Sequence, residues 1–152
     1  MYTIGIRASP RAVTFAIVDS ERSMVVNVEA IMIPSALSVP EALKYVRNTV
    51  LDVLLEYDVE LGCLRIAEPT AQSQNLERVY IEGVIQEAFA SSRLTRYLVG
   101  HIAGISARIG MDRADFKRYV DGEKDYAVVE NWSALKKEER EAVLAGLGAM
   151  HA

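Results

Sequence analysis

The sequence predicts an α/β fold in which helices flank a mixed five-stranded sheet. The first observation is a run of three segments rich in Ile, Val, Thr and Phe, joined by short polar turns, as is typical of antiparallel strands. The second is that two later apolar segments each follow a segment with helical spacing, as is typical of parallel crossovers. The predicted order of elements is therefore β-β-β-α-β-α-β-α-α.

The first three strands are predicted to form an antiparallel meander. Residues 2–8 and 11–19 flank the turn SPR, in which Pro10 has no backbone N–H for a strand ladder. Residues 23–33 follow the polar turn DSERS and give the third strand. Pro34 and Pro40 then end the strand-rich part of the chain.

Helical spacing from Pro40 to Tyr57 predicts the first helix, with Ser38 and Glu41 at the spacing of a capping box. CLRIAE at 63–68 predicts a buried fourth strand, parallel to its neighbour because a helix precedes it. The stretch PTAQSQ that follows predicts a loop.

A second helix is predicted over 75–91, followed by a short fifth strand at 95–100. Gly83 lies inside this helix at a cost of about 1 kcal/mol, which we interpret as close packing against a neighbouring element. DRADFKRYV predicts a short helix capped by Asp112, and a final helix is predicted to begin at Ser133.

Composition indicates a single domain over residues 1–152 in the cytoplasm. The chain is 51% hydrophobic and 25% charged, which argues against long disordered segments. No apolar run approaches the roughly 18 residues that span a bilayer, and the N-terminal segment lacks the layout of a signal peptide. Cys63, the single cysteine, is predicted to be a buried strand thiol.

The net charge of −4 weakens a general claim for nucleic-acid binding, but the charge is unevenly distributed. Between residues 93 and 118 the acidic residues are Asp112 and Asp115 alone. The basic residues of this segment are Arg93, Arg96, Arg108, Arg113, Lys117 and Arg118. Two interpretations stay open, a locally basic binding surface and a set of scattered, solvated helix charges.

The element order and the opening IGIRASPRAVTFAIVD resemble the ribonuclease H-like superfamily, and most of all its RuvC-type Holliday junction resolvases. In that family the first strand reads IGIDPGS, so Arg7 replaces an Asp that holds metal. The resemblance also implies a second metal carboxylate at the end of the fourth strand, where CLRIAEP offers Glu68. GHIAGISARIGMDRADFKRYV loosely resembles the turn and short helix with which these resolvases handle DNA.

The last helix of the family carries a D-x-x-D pair before an alanine-rich run that ends in His. EEREAVLAGLGAMHA resembles it, with Glu138 and Glu141 as the acidic pair. A strict alignment on His151 instead places Arg140 and Val143 at the acidic positions.

The resemblance implies a site whose metal chemistry is disabled. Hydrolysis of a phosphodiester by two metal ions needs several carboxylates converging on the cations. Arg7 places a permanent cation there, which repels Mg²⁺ and is predicted to pair with Glu68. No metal is therefore expected in the natural sequence, and the candidate ligands, if there are any, are Glu68 and Asp19.

The sequence is compatible with three functions, which belong to different functional classes: a binding module, an enzyme and an assembly protein. The first is a catalytically degenerate, pseudonuclease domain that binds branched or structured DNA or a protein partner, with its phosphate contacts at Arg7, Arg108, Arg113, Lys117 and Arg118. The second is a divergent nuclease that uses Mg²⁺ or Mn²⁺ with Glu68, Glu138 and Glu141 as catalytic residues. The third is a homodimeric assembly protein without nucleic acid, which associates through its apolar helices.

Overall fold

A mixed five-stranded sheet forms the centre of the molecule, as the sequence predicts. The computed structural model describes residues 1–70 and 73–152. The strands are β1 (Tyr2–Ser9), β2 (Ala12–Asp19), β3 (Met24–Met32), β4 (Val59–Arg65) and β5 (Arg96–Gly100). Their order across the sheet is β3-β2-β1-β4-β5. The β1–β2 and β2–β3 pairs are antiparallel, while β4 runs parallel to both β1 and β5.

Within the described residues five α-helices flank this sheet, one more than the predicted order of elements contains. They are α1 (Val39–Glu56), α2 (Leu76–Ser91), α3 (Ile102–Arg108), α4 (Arg113–Val120) and α5 (Lys137–Ala149). α1 begins with the predicted capping box of Ser38 and Glu41, and α4 begins at the predicted cap Asp112. None of the helices within the described residues has the length and apolar character needed to cross a membrane.

Each face of the sheet carries its own hydrophobic cluster. α1 and α2 cover one face, where Ile4, Ile6 and Ile85 are fully buried. α5 covers the other face together with α3 and α4, and Leu61 and Leu144 are buried there. The alternation of side chains along β1 and β4 therefore decides which residues meet α5.

α5 lies with its backbone directly against β1. A Cβ atom on Gly5 would lie only 2.0 Å from the carbonyl oxygen of Ala142 and 2.1 Å from the amide nitrogen of Gly146. The Thr3 hydroxyl donates to the carbonyl of Gly146 at 2.7 Å. This close approach places the early turns of α5, including Glu141, over the carboxyl end of β1.

Three predicted boundaries are wrong. The fourth strand begins at Val59 rather than Cys63 and ends at Arg65 rather than Glu68, because Arg65 is the last residue of β4 that pairs with β1 and β5. Ser133 lies in a 3-10 turn (Trp132–Ala134), and α5 begins only at Lys137. There the Glu139 carboxylate accepts a hydrogen bond from the Lys136 backbone N–H at 2.7 Å.

The packing interpretation of Gly83 is also wrong. This glycine is exposed, and a Cβ atom there would meet nothing within 4 Å. The predicted loop PTAQSQ lies in part outside the described residues, at positions 71 and 72.

Candidate functional site

Two arginines stand side by side at the carboxyl ends of the central parallel strands. Arg7 on β1 and Arg65 on β4 are register partners. Thr3 and Gly5 precede Arg7 on the same face of β1 and contact α5, so both arginines lie on the α5 side of the sheet. The carboxyl ends of parallel strands are where α/β sheets commonly hold their functional sites.

Arg7 is held by an ion pair with Glu141 of α5. Its Nε atom donates to Oε2 of Glu141 at 2.5 Å, and both side chains are largely buried, at 15% and 8% exposure. Its Nη1 atom donates to the Ala8 carbonyl and the Ser9 hydroxyl, each at 2.8 Å. The predicted pairing of Arg7 with Glu68 is therefore wrong. α5 crosses β1 and places Glu141, rather than Glu68, against the Arg7 guanidinium.

Arg65 is more deeply buried and less well paired. Its side chain is 6% exposed, and its Nη2 atom lies 3.6 Å from Oε1 of Glu68 and 3.9 Å from Oε1 of Glu141. Its Nη1 atom donates to the carbonyl of Ile66. Its Nε atom is buried and has no hydrogen-bond partner within the described part of the chain.

Glu68 connects this site to the start of α3. Its Oε1 atom accepts a hydrogen bond from the backbone N–H of Ile102 at 2.7 Å. A carboxylate at the first residue of a helix is favourable because the unpaired N–H groups there carry partial positive charge. Glu68 is thus directed towards α3 rather than towards Arg7.

α2 contributes a second buried ion pair from the opposite face of the sheet. Nε of Arg78 donates to Oε2 of Glu82 at 3.1 Å, and the same oxygen accepts from the backbone N–H of Ala67 at 2.9 Å. Burial lowers the pKa of Arg78, and the nearby charge of Arg7 lowers it further, whereas Glu82 raises it. The site therefore comprises three arginines and three glutamates, here called the arginine cluster: Arg7, Arg65, Arg78, Glu68, Glu82 and Glu141.

Two predicted carboxylates do not join the arginine cluster. Glu138 is half-buried in the first turn of α5 and forms no ion pair with any residue that the structure describes. Asp19 pairs across the sheet with Tyr2, at the opposite end of β1 from Arg7. Its Oδ1 atom accepts from the backbone N–H groups of Glu21 and Arg22, so it stabilises the turn after β2.

The alternative alignment on His151, which places Arg140 and Val143 at the acidic positions, also gives no acidic site. Arg140 donates to the carbonyls of Val120, Trp132 and Ser133, and so holds the segment before α5 in place. Val143 is fully buried in the core.

The predicted basic residues divide into paired and unpaired sets. Arg118 is bound by Asp115 at 3.5 Å and by Glu123 at 3.6 Å. Arg108, Arg113 and Lys117 are exposed and have no carboxylate partner among residues 1–70 and 73–152. Arg108 ends the short helix α3, whose first residue binds Glu68, so one seven-residue helix connects this unpaired set with the arginine cluster.

Comparison with known proteins identifies the architecture. No protein-family model matches the chain, and no curated protein matches its sequence. Thermus thermophilus RuvC superposes with a TM-score of 0.75 at 13% identity, over 97% of this chain and 92% of that one. The chain has a RuvC-type, ribonuclease H-like fold.

Two further structures share the RuvC-type fold. T. thermophilus RuvC in complex with a Holliday junction substrate gives a TM-score of 0.70 at 14% identity, over 97% of this chain and 91% of that one. The yeast mitochondrial Holliday junction resolvase gives 0.55 at 14% identity, over 97% of this chain and 77% of that one. At these identities the likeness establishes the fold alone.

The donor set at the strand ends does not fit a pair of divalent cations. Mg²⁺ and Mn²⁺ take oxygen ligands, but β1 and β4 present the guanidinium groups of Arg7 and Arg65 at this position. Glu141 is already bound to Arg7. Within the described residues, no group of three or more His, Cys, Asp or Glu side chains is arranged to hold a metal ion.

Two members of the arginine cluster, Arg65 and Arg78, were missed by the sequence analysis. Arg65 carried a usable signal, because it is a charged residue inside the otherwise apolar strand LGCLRI. Arg78 and Glu82 lie four residues apart on α2, a spacing that predicts an ion pair but neither its burial nor its position. Only the structure shows that α2 reaches the end of β4 through the Ala67–Glu82 hydrogen bond.

Proposed function

We propose that the protein is a catalytically degenerate RuvC-like domain that binds branched DNA without cutting it. The observation that carries this proposal is the Arg7–Glu141 ion pair beside Arg65, at the carboxyl ends of β1 and β4. In the resolvases that the chain resembles, carboxylates at these strand ends hold the catalytic metal. Here the same end of the sheet carries positive side chains.

The chemistry of arginine supports the loss of hydrolysis. A guanidinium group is protonated at every accessible pH, so Arg7 and Arg65 neither bind a divalent cation nor act as a base. They do match the oxygen geometry of a phosphate group, through paired N–H donors. The substitution of carboxylate by arginine therefore favours phosphate binding over phosphate cleavage.

The proposed DNA contacts extend from the arginine cluster along α3 and α4. They comprise Arg7, Arg108, Arg113, Lys117 and Arg118, of which Arg118 must exchange its partners Asp115 and Glu123 for phosphate. One structure with the same fold is described in complex with a Holliday junction, and this supports a four-way junction as the ligand. The overall acidity of the chain restricts binding to this one region.

Fluorescence anisotropy with a labelled four-way junction tests the proposal. In EDTA we expect the junction to bind more tightly than a linear duplex built from the same sequences, with affinity that falls as salt rises. The double variant Arg113→Gln/Lys117→Gln is expected to reduce the salt dependence by about two released ions. Arg22→Gln/Arg47→Gln is the matched control, because it also removes two positive charges, from exposed arginines outside α3 and α4.

The same samples are then incubated with Mg²⁺ or Mn²⁺. Intact DNA after incubation supports the degenerate site, whereas metal-dependent cleavage would overturn it in favour of the divergent nuclease. Absence of junction binding at low salt would overturn the DNA function and leave a protein partner or pure assembly.

A homodimer is supported by an apolar stripe on α2. Leu76, Val79 and Tyr80 lie on adjacent turns and are 63%, 40% and 46% exposed. We propose that this stripe pairs with itself across a two-fold axis. Analytical ultracentrifugation is expected to show a dimer that Leu76→Glu converts to a monomer, and a monomeric natural protein would contradict it.

The single domain and the cytoplasmic location stay predictions.

A further inference from the structure

Arg65 is a buried cation without a hydrogen-bonded carboxylate. Its side chain is 6% exposed, yet its nearest carboxylate oxygens, on Glu68 and Glu141, lie 3.6 and 3.9 Å from Nη2. Its Nε atom has no partner in the described part of the chain. A buried charge is costly unless it is both paired and hydrogen-bonded, and Nε is the atom of this guanidinium that lacks an acceptor.

The arginine cluster as a whole has more donors than acceptors. Each guanidinium carries five N–H donors. In the described structure, hydrogen bonds account for Nε and Nη1 of Arg7, Nη1 of Arg65 and Nε of Arg78. Nη2 of Arg78 is buried and, like Nε of Arg65, has no partner among these residues. Two buried donors of the arginine cluster are therefore available to an acceptor oxygen.

The glutamates of the arginine cluster only partly offset this surplus. Glu82 accepts from the Ala67 backbone N–H as well as from Arg78. Glu68 accepts from the Ile102 backbone N–H at the start of α3. Because two of the three carboxylates also accept from backbone N–H groups, fewer of their lone pairs remain for the guanidinium donors.

We propose that the arginine cluster binds a single phosphate group through Arg65 and Arg78, with Arg7 as the third donor. The terminal oxygens of one tetrahedral phosphate, two in a DNA phosphodiester and three in a phosphate monoester, match the fork geometry of guanidinium donors. The inference deepens the proposed function, and it rests on that function where the phosphate belongs to DNA. A free phosphate ester offers the same chemistry, and the experiment below separates the two sources.

Calorimetric titration with inorganic phosphate, in chloride buffer without metal, is the first arm. We expect saturable binding by the natural protein and an affinity at least about tenfold weaker in Arg78→Gln. Arg78→Lys keeps the positive charge but loses the fork, so it is expected to bind more weakly than the natural protein. Arg47→Gln removes the same charge from an exposed pair and is expected to bind phosphate normally.

Circular dichroism and thermal unfolding establish that each variant is folded before it is titrated. Failure of the natural protein to bind phosphate, or equal binding by folded Arg78→Gln, would overturn the inference. If Arg78→Gln does not fold, Arg78→Lys gives the same test.

The second arm measures junction binding by the natural protein, Arg78→Gln and Arg47→Gln. If the phosphate belongs to DNA, Arg78→Gln lowers the salt dependence by about one released ion, and inorganic phosphate competes with the junction. Phosphate binding without junction binding would identify a free phosphate ester as the source and overturn the DNA function alone. Junction binding that is indifferent to Arg78, with no phosphate binding, would overturn the phosphate site and leave the DNA function standing.

Discussion

At the scale of single residues, Arg7 and Glu141 each stabilise the folded protein only when the other is present. The two side chains are almost out of solvent, so removal of one leaves the other charge buried. Arg7→Met and Glu141→Gln are each expected to lower the free energy of unfolding by about 3 kcal/mol. The double variant is expected to lose less than the sum of the two, as measured by urea denaturation.

Arg47→Met and Glu87→Gln supply the matched control. This pair is bonded in a similar way, at 2.6 Å, but it is exposed on the surface of α1 and α2. Its removal is expected to cost at most about 1 kcal/mol. Additive losses in the Arg7 and Glu141 cycle would show that the two side chains do not depend on each other in the folded protein.

The Cys63 thiol shows how burial in the core controls reactivity. Burial between β-sheet and α5 raises its pKa from an ordinary value near 9 to about 12. Because the folded state holds the proton more tightly, this thiol contributes stability below pH 9 that is lost as the pH rises towards about 12. We expect a thiol reagent at pH 8 to label Cys63 only after denaturant unfolds the chain, and rapid labelling of the folded protein would contradict the burial.

How far the site could be predicted depended on where each residue lies in the chain. Arg7 follows a recognisable strand motif, so its place at the site was predictable, and Glu141 was one of two acidic candidates in the last helix. The sequence could not choose Glu141 over Glu138, because that choice depends on the rotation of α5 against β1. The place of Arg78 at the site could not be predicted, because α2 packs on the opposite face of the sheet.

At the scale of elements, α5 can reach β1 only because Gly5 has no side chain. A Cβ atom at that position would collide with backbone atoms of Ala142 and Gly146, which cannot move independently of the helix. Gly5→Ala is therefore expected to lower the free energy of unfolding by about 3 kcal/mol or more. It should also displace Glu141 from Arg7, and thermal unfolding measures the combined cost.

Gly83→Ala is the opposite case and the internal control. Gly83 is exposed on α2 with open space around it, so a methyl group relieves the backbone entropy cost of glycine without a clash. This variant is expected to be more stable by about 1 kcal/mol. If both substitutions had the same effect, the close packing of α5 on β1 would be contradicted.

The elements were predictable where local chemistry defines them and less so where tertiary contacts do. Ser38 and Glu41 fix the start of α1 through their own hydrogen bonds, and Asp112 does the same for α4. The end of β4 depends instead on where β1 and β5 stop pairing with Arg65. The sequence does not contain that information, because apolar Ile66 follows Arg65 as though the strand continued.

At the scale of the whole molecule, the RuvC-type fold is expected to gain a metal site when its two strand-end arginines are replaced by acids. Arg7→Asp/Arg65→Glu would place two carboxylates beside Glu141 and Glu68, all from elements whose positions the backbone already fixes. Oxygen ligands in this number suit Mn²⁺. In a calorimetric titration with Mn²⁺, we expect no heat of binding for the natural protein and a weak heat of binding for Arg7→Asp. The double variant is expected to bind Mn²⁺ saturably.

Arg93→Glu/Arg47→Asp is the control for this experiment, because it changes the net charge equally at exposed positions outside β1 and β4. Metal binding by that control would mean that added acidity, rather than position, attracts the cation. Tight Mn²⁺ binding by the natural protein would mean that its own carboxylates converge on a cation despite Arg7 and Arg65, and would move the divergent nuclease ahead of the degenerate domain. Binding confined to the double variant would instead show that these two arginines are what separate this chain from a metal-binding member of its fold.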